Sequence, residues 1–224
     1  MPLKLAILAS GTGTNAQAII DKSRAGLLDV EICLIASNRP KAMVLERAKQ
    51  ANIPHICVDH TLFASREEFD LAMLDAIQKS NAQAIALAGY MRILSATFLH
   101  GFQGPVLNLH PALLPSFPGT HGGADALAYG VKISGVTVHF VDEKMDHGPV
   151  IIQAAVPVKD ADQEDDLMNR IHKLEHRIYP QALQWLAHDR LKIKERRVLL
   201  SPGSAKTITP SGEFFIYPPL EEGF

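Results

Sequence analysis

The sequence predicts an α/β fold: a three-layer, doubly wound sheet, mostly parallel, with an antiparallel hairpin at its edge. Three observations carry that prediction. Short apolar runs alternate with longer amphipathic ones through the first half of the chain. A glycine-rich turn directly follows the first apolar run. In the second half, two β-rich runs are separated only by DEKMDHG, whereas a parallel crossover needs about a dozen residues or more.

Taken in order, LKLAILAS is the first strand and a helix begins at Asn15. VEICLIAS is the second strand, and KAMVLERAKQA is a helix that Asn52 ends just before Ile53 and Pro54. PHICV is followed by the helix EEFDLAMLDAIQK, where Ser65 and Glu68 form an S-x-x-E capping box. AQAIALAG completes a β-α-β-α-β-α-β series. Beyond Pro105 the rhythm changes: PVLNLH is a short strand, a proline-rich loop follows, and ISGVTVHFV with PVIIQAAVPV makes the hairpin. A long helix is expected from about Gln163 to His188, with Leu167, Ile171, Leu174 and Ile178 on one stripe and a kink at Pro180. RLKIKERRVLL reads as a small hairpin. The organisation expected is one domain over residues 1–200 and a tail over 201–224, packed or partly flexible, whose aromatic end EFFIYPP packs on the core or between subunits.

Composition narrows the function. At 224 residues and 47% hydrophobic the chain is long enough for one sizeable core. The 22 basic and 24 acidic side chains give a net charge of -2, so no surface for nucleic acid or an anionic membrane is expected, and a small-molecule partner fits better. Cys33 and Cys57 lie far apart in strand-like runs and read as reduced, buried thiols, not as a metal site. The apolar stretch near the N-terminus is only about seven residues, short for a signal peptide, and no run approaches the ~18 of a membrane span. The expected location is the cytoplasm.

The turn SGTGTNA, Ser10 to Ala16, matches a dinucleotide-binding glycine pattern in form, and its glycines let backbone N–H groups approach an anion at a helix N-terminus. The acid that would hold a ribose at the end of the second strand is replaced by Ser37 and Asn38, and Glu31 lies at the wrong end. A nicotinamide cofactor is therefore disfavoured, and the missing P-loop lysine disfavours a triphosphate. Thr12, Thr14 and Asn15 add short polar side chains that suit a monophosphate.

Asn108 and His110 lie two residues apart at the end of the strand PVLNLH, so they share a face at the carboxyl edge where α/β proteins bind ligands. An amide N–H and an imidazolium aimed at one point make an oxyanion site, and the imidazole can also move a proton. A lone histidine more often caps a strand; a nearby carboxylate would favour catalysis by stabilising the charged ring. Asp146 in DEKMDHGP is the candidate for that place, with Asp142 and Glu143 competing for it. No serine or cysteine nucleophile accompanies the pair.

The motifs SGTGTN, AGYMRIL, NLHPALLPSFPG, GVTVHFVDEKMDHGPVI and LEHRIYP, in this order over about Lys4 to Lys194, resemble the 10-formyltetrahydrofolate-dependent formyltransferases. Among them they are most similar to those of purine synthesis that formylate phosphoribosylglycinamide. The resemblance implies a Rossmann-like domain and a catalytic trio of Asn108, His110 and Asp146. Asn108 would hold the formyl oxygen, His110 would stabilise and protonate the tetrahedral intermediate, and Asp146 would keep His110 charged. It places the substrate phosphate on Gly13, Thr14 and Asn15 and the ribose on Glu175. It places the folate along Met91, Arg92, Ile93 and Leu94 and against Val141, Asp142, Glu143, Lys144 and Met145, with Arg66 near the folate glutamate tail. It implies 10-formyltetrahydrofolate as co-substrate with no permanently bound cofactor, glycinamide ribonucleotide as the acceptor, and a monomer or homodimer.

Departures from the family pattern are modest: they fall in SFPGTHGGADAL, at Ser116 and His121, and the tail beyond about Ser201 carries no family motif. The string His172-Lys-Leu-Glu175-His176 also spells a zinc-protease pattern; with no third ligand evident, no metal is expected. Relatives that formylate methionyl-tRNA add a basic domain for which this chain has neither length nor charge. Those that hydrolyse formyltetrahydrofolate add an N-terminal regulatory domain, whereas here the first strand begins at residue 3. A non-catalytic nucleotide-binding module would use the glycine loop but not the trio.

Overall fold

A computed structural model describes residues 1–208 and 212–224. The strands are β1 (Leu3–Leu8), β2 (Val30–Ser37), β3 (His55–Cys57), β4 (Ala84–Leu87), β5 (Val106–His110), β6 (Ile133–Phe140), β7 (Val150–Pro157), β8 (Leu191–Lys194), β9 (Arg197–Leu200), β10 (Thr207–Ile208), β11 (Phe215–Tyr217) and β12 (Leu220–Glu221). The helices are α1 (Thr14–Arg24), α2 (Met43–Gln50), α3 (Arg66–Lys79), α4 (Ala96–Gly101), α5 (Gly122–Tyr129) and α6 (Glu164–Ala187). The chain forms two compact units, Met1–Asn108 and Leu109–Phe224, and passes from the first to the second inside β5.

In the first unit the strand order is β3-β2-β1-β4-β5, with every pair parallel. Strands covered on both faces need unbroken apolar runs, and β4 is buried along its whole length, as are the last four residues of β1. Ile19 and Ile20 of α1 and Phe69, Met73 and Ile77 of α3 supply the covering layers. Asn52 ends α2 as expected: its φ is +52°, and the N–H groups of Asn52 and Ile53 donate to the carbonyls of Lys49 and Ala48, the paired bonds of a Schellman cap. At α3 the capping is half of what the S-x-x-E pattern implies. Ser65 Oγ accepts from the Glu68 N–H at 3.1 Å, but the Glu68 carboxylate takes the N–H of Ala64, one residue before the cap.

In the second unit β6 and β7 form the expected antiparallel hairpin, with Thr137 opposite Gln153 and Val136 opposite Ala154. The hairpin is not outermost. The far edge of β7 takes β9 in parallel at Val150–Arg197 and β11 in antiparallel, and β8 lies beyond β9. Gly135 in β6 sits where a Cβ would come within 2.0 Å of the Ala154 carbonyl oxygen, so this close approach requires glycine. Helix α6 begins at Gln163, which with Asp166 forms a reciprocal capping box, and it continues through Pro180 without a break. Its apolar stripe is buried at Leu167, Ile171, Leu174 and Ile178, and Tyr179, Leu183 and Trp185 extend it.

The tail is anchored at a few points, Ile216, Leu220, Glu221 and Phe224, while Phe215 and Tyr217 of its aromatic end are exposed. β11 adds to the sheet and buries Ile216, Arg190 donates to the mostly buried Glu221 at 2.6 Å, and Arg177 donates to the Phe224 carbonyl. The stretch of the expected tail at 209–211 lies outside the described residues. Cys33 and Cys57 are half-buried, not buried, and desolvation pushes both thiol pKa values up. Among the described residues no helix is long and apolar enough to cross a membrane.

Candidate active site

The glycine loop is held by bonds that turn its carbonyls away from the helix N-terminus. Gly11 O accepts from Val44 N–H of α2, Thr12 O accepts from Arg47 Nε at 2.7 Å, and Gly13 O accepts from Gln17 N–H in α1. Gly13 is the N-cap residue at φ +72°, and a Cβ there would meet Val44 Cγ2 at 2.6 Å. The first N–H groups of a helix have no intrahelical partner and carry its positive dipole end. The turn therefore sets Gly13, Thr14 and Asn15 at the positive end of α1.

The structure also explains why β2 ends without an acid. Asn38 Oδ1 accepts the buried Ser10 hydroxyl at 2.6 Å, and Ser10 Oγ in turn accepts the Met91 N–H at 2.8 Å. The position that would read a ribose in a dinucleotide site is used here to brace the glycine loop against the AGYMRIL segment.

That segment, Tyr90 to Leu94, is irregular and points two apolar side chains outward: Met91 and Ile93 are both more than half exposed. Between them Arg92 stacks over the Phe69 ring at 4.7 Å. Its far end is pinned by Asp70, wholly buried in α3, which accepts the Ser95 N–H at 2.7 Å. Burial and the neighbouring Asp70 push the Tyr90 hydroxyl pKa up. The sequence does not mark Asp70, because one buried carboxylate within an amphipathic helix looks like a surface charge. Arg66, in the first turn of α3, is exposed and pairs with Glu67 at 3.5 Å.

The second unit holds His110 and Asp146. His110 is 3% exposed, its Nε2–H donates to the Phe117 carbonyl at 2.8 Å, and its Nδ1 lies 3.5 Å from Asp146 Oδ2. Both ring nitrogens thus face acceptors, which is the arrangement of an imidazolium. Of the three acids that compete in DEKMDHG, Asp146 is the one that reaches the ring. It adopts φ +52° and also accepts the Gly119 N–H at 2.8 Å. Asp142 instead closes its own loop, accepting from Lys144 N–H at 3.0 Å and facing His147 Nδ1 at 2.8 Å, while Glu143 and Lys144 are exposed. Met145 is half exposed and Val141 is partly buried.

A further residue escaped the sequence reading. His139 of β6 is 2% exposed and places Nε2 3.8 Å from Asp146 Oδ1, while its Nδ1–H donates to the Phe140 carbonyl. Desolvation lowers its pKa, and Asp146 lies between the two rings. The proline loop is also fixed by more than its prolines. Thr137 Oγ1 donates to the Ala112 carbonyl at 2.7 Å and accepts from Leu114 N–H, and Gln153 Nε2 donates to the Leu114 carbonyl. Alternation in GVTVHF signals a strand; which of its polar members is buried follows only from what packs on it.

Asn108 occupies the alternate position from His110 on β5 and is partly buried. Glu175 is buried in α6, His172 beside it is exposed, and burial lowers the pKa of His176. Ser116 N–H donates to the Leu113 carbonyl, and His121 is the N-cap residue of α5, with Nδ1 3.0 Å from Thr120 Oγ1.

A glycine turn after β1, and a buried pair of His110 at the end of β5 with Asp146 in the loop after β6, on a mostly parallel α/β sheet, define a class. The chain belongs to the formyl transferase family, whose domain matches residues 3–183. It is 41% identical over 198 residues to phosphoribosylglycinamide formyltransferase of Escherichia coli, which covers 88% of this chain and 93% of that protein. A crystal structure of glycinamide ribonucleotide transformylase 1 from Symbiobacterium toebii is similar with a TM-score of 0.88 at 42% identity, over 90% of this chain and 95% of that one. The trifunctional purine biosynthetic protein adenosine-3 of Drosophila melanogaster is 46% identical over 187 residues, and the chain spans only 14% of that longer relative's length.

Proposed function

We propose that the chain is a cytoplasmic enzyme that transfers a formyl group from 10-formyltetrahydrofolate to the amine of glycinamide ribonucleotide, in purine synthesis. The observation that carries this reading is the buried His110–Asp146 pair at 3.5 Å, in a chain that matches a phosphoribosylglycinamide formyltransferase along 93% of that enzyme's length. The amine attacks the formyl carbon, a C–N bond forms, and the carbonyl electron pair moves onto oxygen. Asn108 donates its amide N–H to that oxyanion. His110 supplies the second donor: Nδ1 stays beside the Asp146 carboxylate, and the reacting oxygen takes the place of the neutral Phe117 carbonyl on Nε2. Asp146 balances the positive ring. Collapse breaks the bond to the folate nitrogen, which takes a proton as tetrahydrofolate leaves, while the new amide loses one. Two converging donors and a held geometry lower the barrier without a covalent intermediate.

In this reading Gly13, Thr14 and Asn15 bind the phosphate and Glu175 the ribose hydroxyls. Met91, Arg92, Ile93 and Leu94 lie along the folate, with Val141, Asp142, Glu143, Lys144 and Met145 against it and Arg66 near its glutamate tail. The outward Met91 and Ile93 suit an apolar ring, and the exposed Arg66 suits a mobile carboxylate chain. The enzyme acts as a monomer or homodimer. A coupled assay with 10-formyltetrahydrofolate, with and without glycinamide ribonucleotide, tests the reading. Tetrahydrofolate released only with the ribonucleotide is the expected result; equal release without it identifies a hydrolase, and no release in either case removes both.

A further inference from the structure

We infer that Arg196 and His147 form a clasp that positions Asp146, making Arg196 a positioning residue for formyl transfer. The inference rests on the reading of His110 and Asp146 above and adds residues that lie outside the trio.

Asp146 must leave the loop between β6 and β7 at φ +52° to reach His110, a backbone state that costs a non-glycine residue roughly 1–2 kcal/mol. Something has to hold that turn. The residue after it, His147, is 45% exposed in its side chain and is not fixed by packing. It is fixed by hydrogen bonds on three sides. His147 Nδ1 lies 2.8 Å from Asp142 Oδ2 at the start of the loop, and Arg196 Nη1 lies 2.9 Å from His147 Nε2. Arg196 Nη2 donates to the His147 carbonyl at 2.8 Å.

These contacts set the ring and the backbone of His147 together. Asp142 Oδ2 only accepts, so Nδ1 gives it its proton, while Arg196 Nη1, 2.9 Å from Nε2 and 3.4 Å from Nδ1, rests against the ring. Arg196 then grips both the ring and the backbone of His147 with the two arms of its fork, a geometry lysine cannot reproduce. The hairpin is in register to do so, because Arg197 pairs with Val150 of β7 and sets Arg196 beside the segment just before it. Gly148 closes the neck: a Cβ there would come within 1.8 Å of the Phe140 carbonyl oxygen. The loop from 142 to 147 is thus cinched at its ends by Asp142 and His147 and tied from outside by Arg196, with Asp146 turned inward.

The test uses the full chain and two readouts, one of which does not depend on activity. Because Arg196 Nη2 holds the His147 carbonyl, Arg196→Ala should shift the backbone amide resonances of residues 142 to 148 and speed their exchange with solvent, while amides elsewhere in the sheet stay in place. The same variant should lower kcat for formyl transfer about three- to tenfold, since small misplacements near a reacting centre are costly, while leaving KM for glycinamide ribonucleotide unchanged. Arg196→Lys should fall between, and adding His147→Ala to Arg196→Ala should cost nothing more, because the two act as one unit. Unchanged loop amides overturn the clasp; changed loop amides with unchanged kcat overturn the positioning role. If the unaltered protein transfers no formyl group, the reading of the site has failed, and the loop amides still decide whether the clasp exists.

Discussion

The glycine loop and the His–Asp centre solve the same problem, holding donors still, by opposite means. Over Ser10 to Asn15 the donors are backbone groups, one glycine fixes the turn, and the supports lie in the same βα units: Val44, Arg47 and Asn38. At His110 the donors are side chains, and the supports come from separate stretches of the second unit: Phe117 and Gly119 in the proline loop, His139 in β6, and Asp146 in the loop after it. A backbone site fails by misfolding locally. A side-chain site can fail chemically while the fold stays intact.

The largest test of that contrast is Asp146→Asn. The amide keeps the size of the side chain, but its charge is gone and the nitrogen end cannot accept. Loss of one well-placed group at an oxyanion centre typically costs ~100-fold or more in rate. We expect formyl transfer to fall by about that factor, while the melting temperature stays close to that of the unaltered chain. A matching collapse of stability would show that Asp146 is structural and remove the contrast.

Gly13→Ala should behave in the opposite way. The residue would be forced to keep φ +72°, at roughly 1–2 kcal/mol, and its methyl group would overlap Val44 Cγ2 at 2.6 Å. The expected outcome is a lower denaturation midpoint together with a raised KM for the ribonucleotide. Gly11→Ala is the control, since nothing lies within 4 Å of a Cβ at that position; it should leave stability almost unchanged. Equal melting of the two variants would mean that the turn at Gly13 is not what shapes the cradle.

The same contrast decides what could be read from the sequence. The glycine loop was legible because its signal is local: strand, glycines and helix follow each other without interruption. Asn108 and His110 were legible for the same reason, as alternate residues of one short strand. The acid was named as Asp146, but local pattern alone did not separate it from Asp142 and Glu143, because the three differ in the backbone turn that aims them, and that turn is held by Gly119, His147 and Arg196, up to 50 residues away by position. His139, Thr137 and Gln153 were hidden in strands whose alternation shows two faces without showing which polar residue is enclosed. The long helix was legible to within a residue at each end, since its apolar stripe and its caps agree. The strands beyond β7 were read as a hairpin and a tail, because short exposed strands such as β8 carry too few apolar residues to announce where they pair.

The smallest effect sharpens the electrostatic side of the contrast. Burial holds the His139 pKa below its ordinary value of 6.5, so below that pH the unfolded chain binds a proton that the folded chain refuses. Stability then rises with pH across the window under 6.5 and is lost as the pH falls, with a slope of at most about 1.4 kcal/mol per pH unit for one proton. Below the folded-state pKa both states bind the proton and the slope flattens. His176, whose pKa is also lowered by burial with His172 beside it, adds a term of the same sign. His139→Asn can keep a donor toward the Phe140 carbonyl without a titrating ring, so chemical denaturation between pH 7 and pH 5 should show a shallower loss of stability in that variant than in the unaltered chain. An identical slope would mean that His139 is hydrated or charged beside Asp146 in the folded protein, and that Asp146 serves two positive rings instead of one.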